Sequence, residues 1–76
     1  MRIEVLGPGC ARCKSLLDSV EAAVHRLGIE AEVVKVTNID EMARRGILAT
    51  PALVIDGVLK ATGKVLTPDE VAALLG

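Results

Sequence analysis

The chain contains no phenylalanine, tyrosine or tryptophan in its 76 residues. The core must therefore be built from Ala, Val, Leu, Ile and Met. Nucleic-acid bases have no ring to stack on, and a formal net charge of -1 gives no long-range pull on phosphates. Nucleic acid is thus excluded as the expected partner. Long hydrophobic runs are also missing. None approaches the ~20 residues of a membrane span, and the apolar stretch at the start is too short for a secretory leader. We expect no membrane association and a cytoplasmic location. There a structural disulfide is rare, and a close cysteine pair is more often catalytic or metal-binding. Metal ligands are scarce too, with two cysteines and one histidine. A structural zinc site usually takes four ligands, so zinc would require a second chain.

What is present is 51% hydrophobic residues, enough for a single small globular domain spanning 1–76. Arg2 to Leu6 reads as a buried strand that Gly7-Pro8-Gly9 ends. From Ala11 the period becomes helical. Cys13, Leu16, Leu17, Val20, Val24 and Leu27 share one face, Lys14, Asp18, Glu21 and His25 another, and Gly28 stops the helix. Glu30 to Val36 is a second strand. Asn38 and Glu41 form a candidate capping box for a short helix that closes on Arg44, Arg45 and Gly46. Ala52–Ile55 and Val58–Ala61 read as a hairpin turned by Asp56-Gly57, with Gly63 interrupting its second strand as a bulge. Thr67-Pro68-Asp69-Glu70 starts a last helix whose apolar face is Val71, Leu74 and Leu75. The order β-α-β-α-β-β-α predicts an α/β fold. Its first two strands are parallel, the hairpin is antiparallel, and helices cover both faces of a four-stranded mixed sheet.

The chemistry concentrates in "GPGCARCK". Cys10 falls at the helix start, where backbone N–H groups lack helical partners and the dipole is positive. Such a position lowers a thiol below its ordinary pKa of about 8.5, and Arg12 and Lys14 add positive charge within one turn. Cys13 is one turn on and belongs to the apolar stripe, so it should be the more buried of the two. That asymmetry suits a nucleophile, Cys10, and a resolving thiol, Cys13. The bland alternative is two neighbouring structural thiols. His25 lies twelve residues beyond Cys13, about 18 Å along a helix, and reads as a surface residue rather than a ligand. A further feature is Thr50-Pro51 at a strand start. It is either an ordinary boundary marker or a cis peptide that frees the preceding backbone to pair with an extended substrate.

The Cys-x-x-Cys-Lys at a strand-to-helix junction, with Gly46-Ile47-x-x-Thr50-Pro51-x-Leu53 and a hairpin some forty residues later, resembles the thioredoxin superfamily over the whole chain. Gly-x-Gly-Cys-x-x-Cys near the N-terminus is similar to the small thioredoxin-like redox-active disulfide proteins, which are close to glutaredoxin in size. The resemblance implies that Cys10 is the exposed nucleophile and Cys13 the resolving thiol. It further implies that Pro51 is cis beside them, that the Thr50 backbone contacts substrate, and that Gly63 lines the substrate groove. The departures are Gly9 before the first cysteine, Ala11-Arg12 between the pair, and the lack of an aromatic contact surface. The family's buried acid, six residues before the first cysteine, falls on Glu4. Glu4 would either assist proton transfer to Cys13 or form a surface salt bridge.

The function expected is a monomeric thiol–disulfide oxidoreductase without metal or bound organic cofactor. It would act on a disulfide-containing protein or small thiol, with a reductase or glutathione as electron donor. Potentials in this fold run from roughly -270 to -120 mV, and the compartment favours reduction. The alternative is a carrier of a soft metal such as Cu(I), of sulfur or of electrons on the same two thiols.

Overall fold

The computed structural model of the chain describes residues 1–9 and 11–76. Its elements are β1 (Arg2–Leu6), α1 (Ala11–Leu27), β2 (Glu32–Val36), α2 (Ile39–Arg44), β3 (Ala52–Ile55), β4 (Val58–Thr62) and α3 (Pro68–Leu75). The sheet runs β2-β1-β3-β4. β1 and β2 are parallel, as a helical crossover requires, while β1 with β3 and β3 with β4 are antiparallel. The expected α/β architecture with a four-stranded mixed sheet is the one observed.

Strand alternation divides the core in two. Ile3 and Val5 of β1, with Leu53 and Ile55 of β3, face Leu16, Val20 and Ala23 of α1 and Val71 and Ala72 of α3. Leu6, Ala52 and Val54 face the other way, onto Met42 of α2 and Ile47. β1 is central, so both of its faces are covered and Ile3 to Leu6 are all buried. α1 follows directly where β1 runs out, which sets Cys13 close to the strand end.

Several local expectations need correction. The buried stripe of α1 is Cys13, Leu16, Ser19, Val20 and Ala23, whereas Leu17 and Val24 are half-buried and Leu27 is exposed. The helix packs on α3 as well as on the sheet, and Ala23 joins Val71 and Ala72 in one cluster. A close helix partner selects small residues, which hydropathy does not reveal. On α3 the same effect buries Val71 and Ala72 and leaves Leu74 exposed. β2 begins at Glu32 rather than Glu30, because its partner begins at Arg2 and those two residues are paired. The β4 bulge lies at Lys60, not Gly63: Leu53 pairs with Ala61 and Val54 with Leu59, leaving Lys60 as the extra residue. Gly63 follows the end of β4.

The turn and caps fall where expected. Asp56 and Gly57 both have positive φ, 49° and 82°, the pair of left-handed conformations a tight two-residue hairpin turn needs. Thr67 and Glu70 form a reciprocal capping box on α3. At α2 the Asn38 side chain accepts from the Glu41 N–H at 3.0 Å, but the Glu41 carboxylate turns to Arg44 and Arg45 instead of closing the box.

Candidate active site

Cys13 is buried in the first turn of α1, at 6% exposure. Its seat is Gly7, the residue immediately after β1. A Cβ built on Gly7 would collide with Cys13 Sγ and stand 3.8 Å from Pro51 Cα. Only glycine lets the helix bring the thiol down onto the strand end, with Pro51 alongside. The Gly7 N–H is meanwhile held by Val36 O at 2.9 Å, which anchors the strand end to β2. Pro51 is fully buried, and the Thr50–Pro51 peptide is cis, as the resemblance implies. Thr50 is half-exposed beside it.

Gly63 and Arg12 join this group through two hydrogen bonds. The Gly63 N–H donates to Pro51 O at 2.8 Å. Its carbonyl accepts from Arg12 Nη2 at 2.8 Å. Arg12 therefore ties the start of α1, through Gly63, to the Pro51 loop. The sequence suggested only a charge near the thiol, but the guanidinium also has this mechanical use. Lys14 is exposed on the opposite flank of Cys13, in a cavity it shares with Asp18 and Lys35. The structure thus assembles Cys13, Pro51, Gly63 and Arg12 directly, with Thr50 and Lys14 at the edges. Cys10, expected at the N-cap as nucleophile, lies outside the described residues.

Glu4 does not join them. Alternation on β1 puts it with Leu6 on the α2 face, whereas Cys13 belongs to α1 on the other. Glu4 is nonetheless buried, with a 7% exposed side chain, and forms an ion pair rather than a surface bridge: Arg45 Nη1 is 2.8 Å from Oε2 and Arg2 Nε 3.8 Å from Oε1. The short Arg45 approach is a charge contact without an aligned hydrogen bond at Oε2. Arg45 in turn donates from Nε to Glu41 at 3.0 Å, and Arg44 donates to Glu41 at 2.7 Å. These two arginines, Arg44 first, hold the Glu41 carboxyl below the usual carboxylate range. His25 is exposed in the last turn of α1, as expected of a surface residue.

Two features escaped the sequence. Gly7 reads as a strand breaker, and no local signal says that it is also a seat for sulfur. The second is an aliphatic surface: Leu48 is 97% exposed and Ile39 68% exposed. With Pro8 and Thr50 they rim an open cavity of about 300 Å³ next to the Pro51 loop. Ile39 and Leu48 are nine positions apart in the sequence, and only the fold sets them on one rim.

Comparison with known proteins gives the family. The model of the thioredoxin domain family matches residues 1–76. The chain belongs to the thioredoxin family. It is 39% identical over 75 residues to a thioredoxin of Methanothermobacter thermautotrophicus, covering 99% of this chain and 97% of that protein. It is 38% identical over 69 residues to a thioredoxin of Methanocaldococcus jannaschii, covering 91% of this chain and 79% of that one. At the level of the family, then, this is a thioredoxin-like redox protein and a thiol–disulfide oxidoreductase. Among the described residues no helix is long and apolar enough to cross a membrane.

Proposed function

We propose that the chain reduces disulfides by cycling between a Cys10/Cys13 dithiol and an intramolecular Cys10–Cys13 disulfide. The observation that supports this most is the placement of Cys13, buried over Gly7 and beside Pro51. A thiol so placed is shielded from substrate, and Cys10 precedes it by three positions in the sequence. The Cys10 thiolate attacks one sulfur of the substrate disulfide, forming a mixed disulfide and releasing the first substrate thiolate. Cys13 gives up its proton and attacks the Cys10 sulfur. The intramolecular disulfide closes and the second substrate thiol leaves, two electrons having passed to the substrate.

The Thr50 backbone and the Ile39–Leu48 surface bind the substrate, aliphatic contacts replacing the missing aromatic ones. Arg12 covers the Gly63 carbonyl, so Thr50 carries the main-chain pairing unless Arg12 swings aside. The protein works as a cytoplasmic monomer without cofactor, re-reduced by a reductase or by a small thiol.

A Cys13→Ser variant tests the assignment. It accumulates mixed disulfides through Cys10, identified by mass spectrometry, while Cys10→Ser accumulates none. Trapping through Cys13 instead would invert the roles. Equilibration in a glutathione redox buffer gives a reversible two-electron couple. Stoichiometric Cu(I) or Zn(II) binding with no reversible disulfide would replace this reading by metal carriage.

A further inference from the structure

We propose that the cavity between α1 and β2 is a subsite for the acid group of a small carboxylate-bearing thiol, which re-reduces the pair. The inference deepens the reductase reading and rests on it. The cavity is about 360 Å³ and is walled by Cys13, Lys14 and Leu17 of α1, with Val5 beneath and Lys35 of β2 opposite. That volume falls in the range of small-ligand sites, and its apolar floor with a few convergent charges is their usual chemistry.

The charges decide the ligand. Arg2, Arg26, Arg44, Arg45 and Lys64 each hold a carboxylate within ion-pair distance. Among the described residues, Lys14 and Lys35 hold none, and both are exposed at the cavity wall. Asp18 shares the cavity and pairs with neither. Two ammonium groups against one carboxylate leave the cavity cationic on a chain whose formal net charge is -1. An anionic group on a short apolar body fits that wall, and Cys13 places the redox pair at its side.

The step balances as ordinary exchange. The thiolate of the bound molecule attacks a sulfur of the Cys10–Cys13 disulfide. The S–S bond breaks, and the other cysteine leaves as thiolate and takes up a proton. A second thiolate attacks the resulting mixed disulfide and expels the remaining cysteine, which is protonated in turn. Two electrons enter the pair, and two small thiols depart as one disulfide.

The test uses the oxidised full chain and three monothiols: mercaptoacetate, neutral 2-mercaptoethanol and cationic cysteamine. Reduction rates are compared at equal thiolate concentration, each divided by its rate on a small neutral disulfide. Mercaptoacetate should lead 2-mercaptoethanol by about three- to tenfold, the scale of one or two partly exposed charge pairs. The lead should collapse in Lys14→Gln/Lys35→Gln and in about 0.5 M salt, and persist in Lys60→Gln, whose lysine also holds no carboxylate but lies on β4. A flat ranking, or an equal loss in Lys60→Gln, would overturn the subsite. Should the double variant not fold, the salt response of the unaltered chain decides. Dithiothreitol separates the two readings, since failure to find a reducible disulfide strikes the redox cycle alone. The subsite then stands or falls on an NMR titration with S-methylmercaptoacetate, which cannot exchange. Shifts at the Leu17 and Lys35 amides support it, and unmoved amides refute it.

Discussion

The two faces of the sheet are built by different means. The α1–α3 face is continuous aliphatic packing, with Ile3, Leu16, Val20, Leu53 and Val71 fully buried. The α2 face has a smaller apolar cluster and carries the buried charge of Glu4, paired with Arg45 from the end of α2. It also exposes Ile39 and Leu48. The first face is a platform that fixes Cys13. The second is a thinner layer held partly by charge, and it carries the Pro51 loop and the surface a substrate would meet. In a domain without aromatics, the continuous aliphatic core and the exposed aliphatic surface of Ile39 and Leu48 thus lie on opposite sides of one sheet.

Truncating each side should expose that difference. Leu16→Ala on α1 should cost about 3 kcal/mol, because its closely packed surroundings cannot collapse into the space. Met42→Ala on α2 should cost nearer 2 kcal/mol, since a thin layer relaxes more readily. Urea unfolding followed by circular dichroism measures both. Equal losses would mean that the α2 face is as rigid as the other.

Gly7 lies where the two faces meet. Gly7→Ala drives a methyl into Cys13 Sγ and should cost about 1–3 kcal/mol as overpacking. It should also lift Cys13 from its seat, so that alkylation of Cys13 in the reduced protein becomes faster. Unchanged alkylation with unchanged stability would show that α1 slides freely over the strand end.

The ion pair on the α2 face is sharpened by a cycle. Arg45→Met leaves Glu4 buried with only the more distant Arg2 contact, and should cost about 1–3 kcal/mol. This is less than for a wholly buried pair, because Arg45 is itself 34% exposed. Adding Glu4→Leu should recover most of that loss, since an apolar pair needs no mutual compensation. If the double variant is as unstable as the single, Glu4 has an additional partner or packing role, and the charge account of this face fails.

These contrasts bear on how much was legible beforehand. Periodicity and caps located the helices because they are local: Thr67-Pro68-Asp69-Glu70 fixes the start of α3 within its own four residues. The motif pair Cys-x-x-Cys and Thr-Pro pointed to the candidate site, and the structure brings Cys13 and Pro51 of those motifs together at Gly7. What could not be read was tertiary. Ala23 is buried with Val71 and Ala72 of α3, not by its hydropathy. Glu4 lies by strand alternation on the α2 face, and the sequence put Arg45 at the end of that helix but not against Glu4. Gly7 looks the same as any strand-ending glycine until Cys13 is laid over it. The Arg12 bond to Gly63 spans 51 positions and leaves no local trace.

The smallest expected effect lies in the acid limb of stability, and it compares the caps on the two sides. Glu41 at α2 is held below the usual carboxylate range by Arg44 and then Arg45. Glu70 at α3 is held below it by the Thr67 backbone N–H first, with Lys64 adding charge. In each case the unfolded chain binds its proton first as pH falls. The stabilisation is complete above the unfolded carboxyl pKa of about 4.3 and is lost as pH drops through the lower folded value. Melting temperature should therefore be flat near neutrality and fall below about pH 4.5. Glu70→Gln should flatten part of that fall while keeping a side-chain acceptor for the Thr67 N–H. Glu41→Gln should also flatten it, and should lower the neutral-pH plateau more, because the neutral amide no longer pairs with the arginine that holds Glu4. An equal plateau for the two variants would uncouple Glu41 from the buried pair and leave Glu4 to Arg45 and the more distant Arg2.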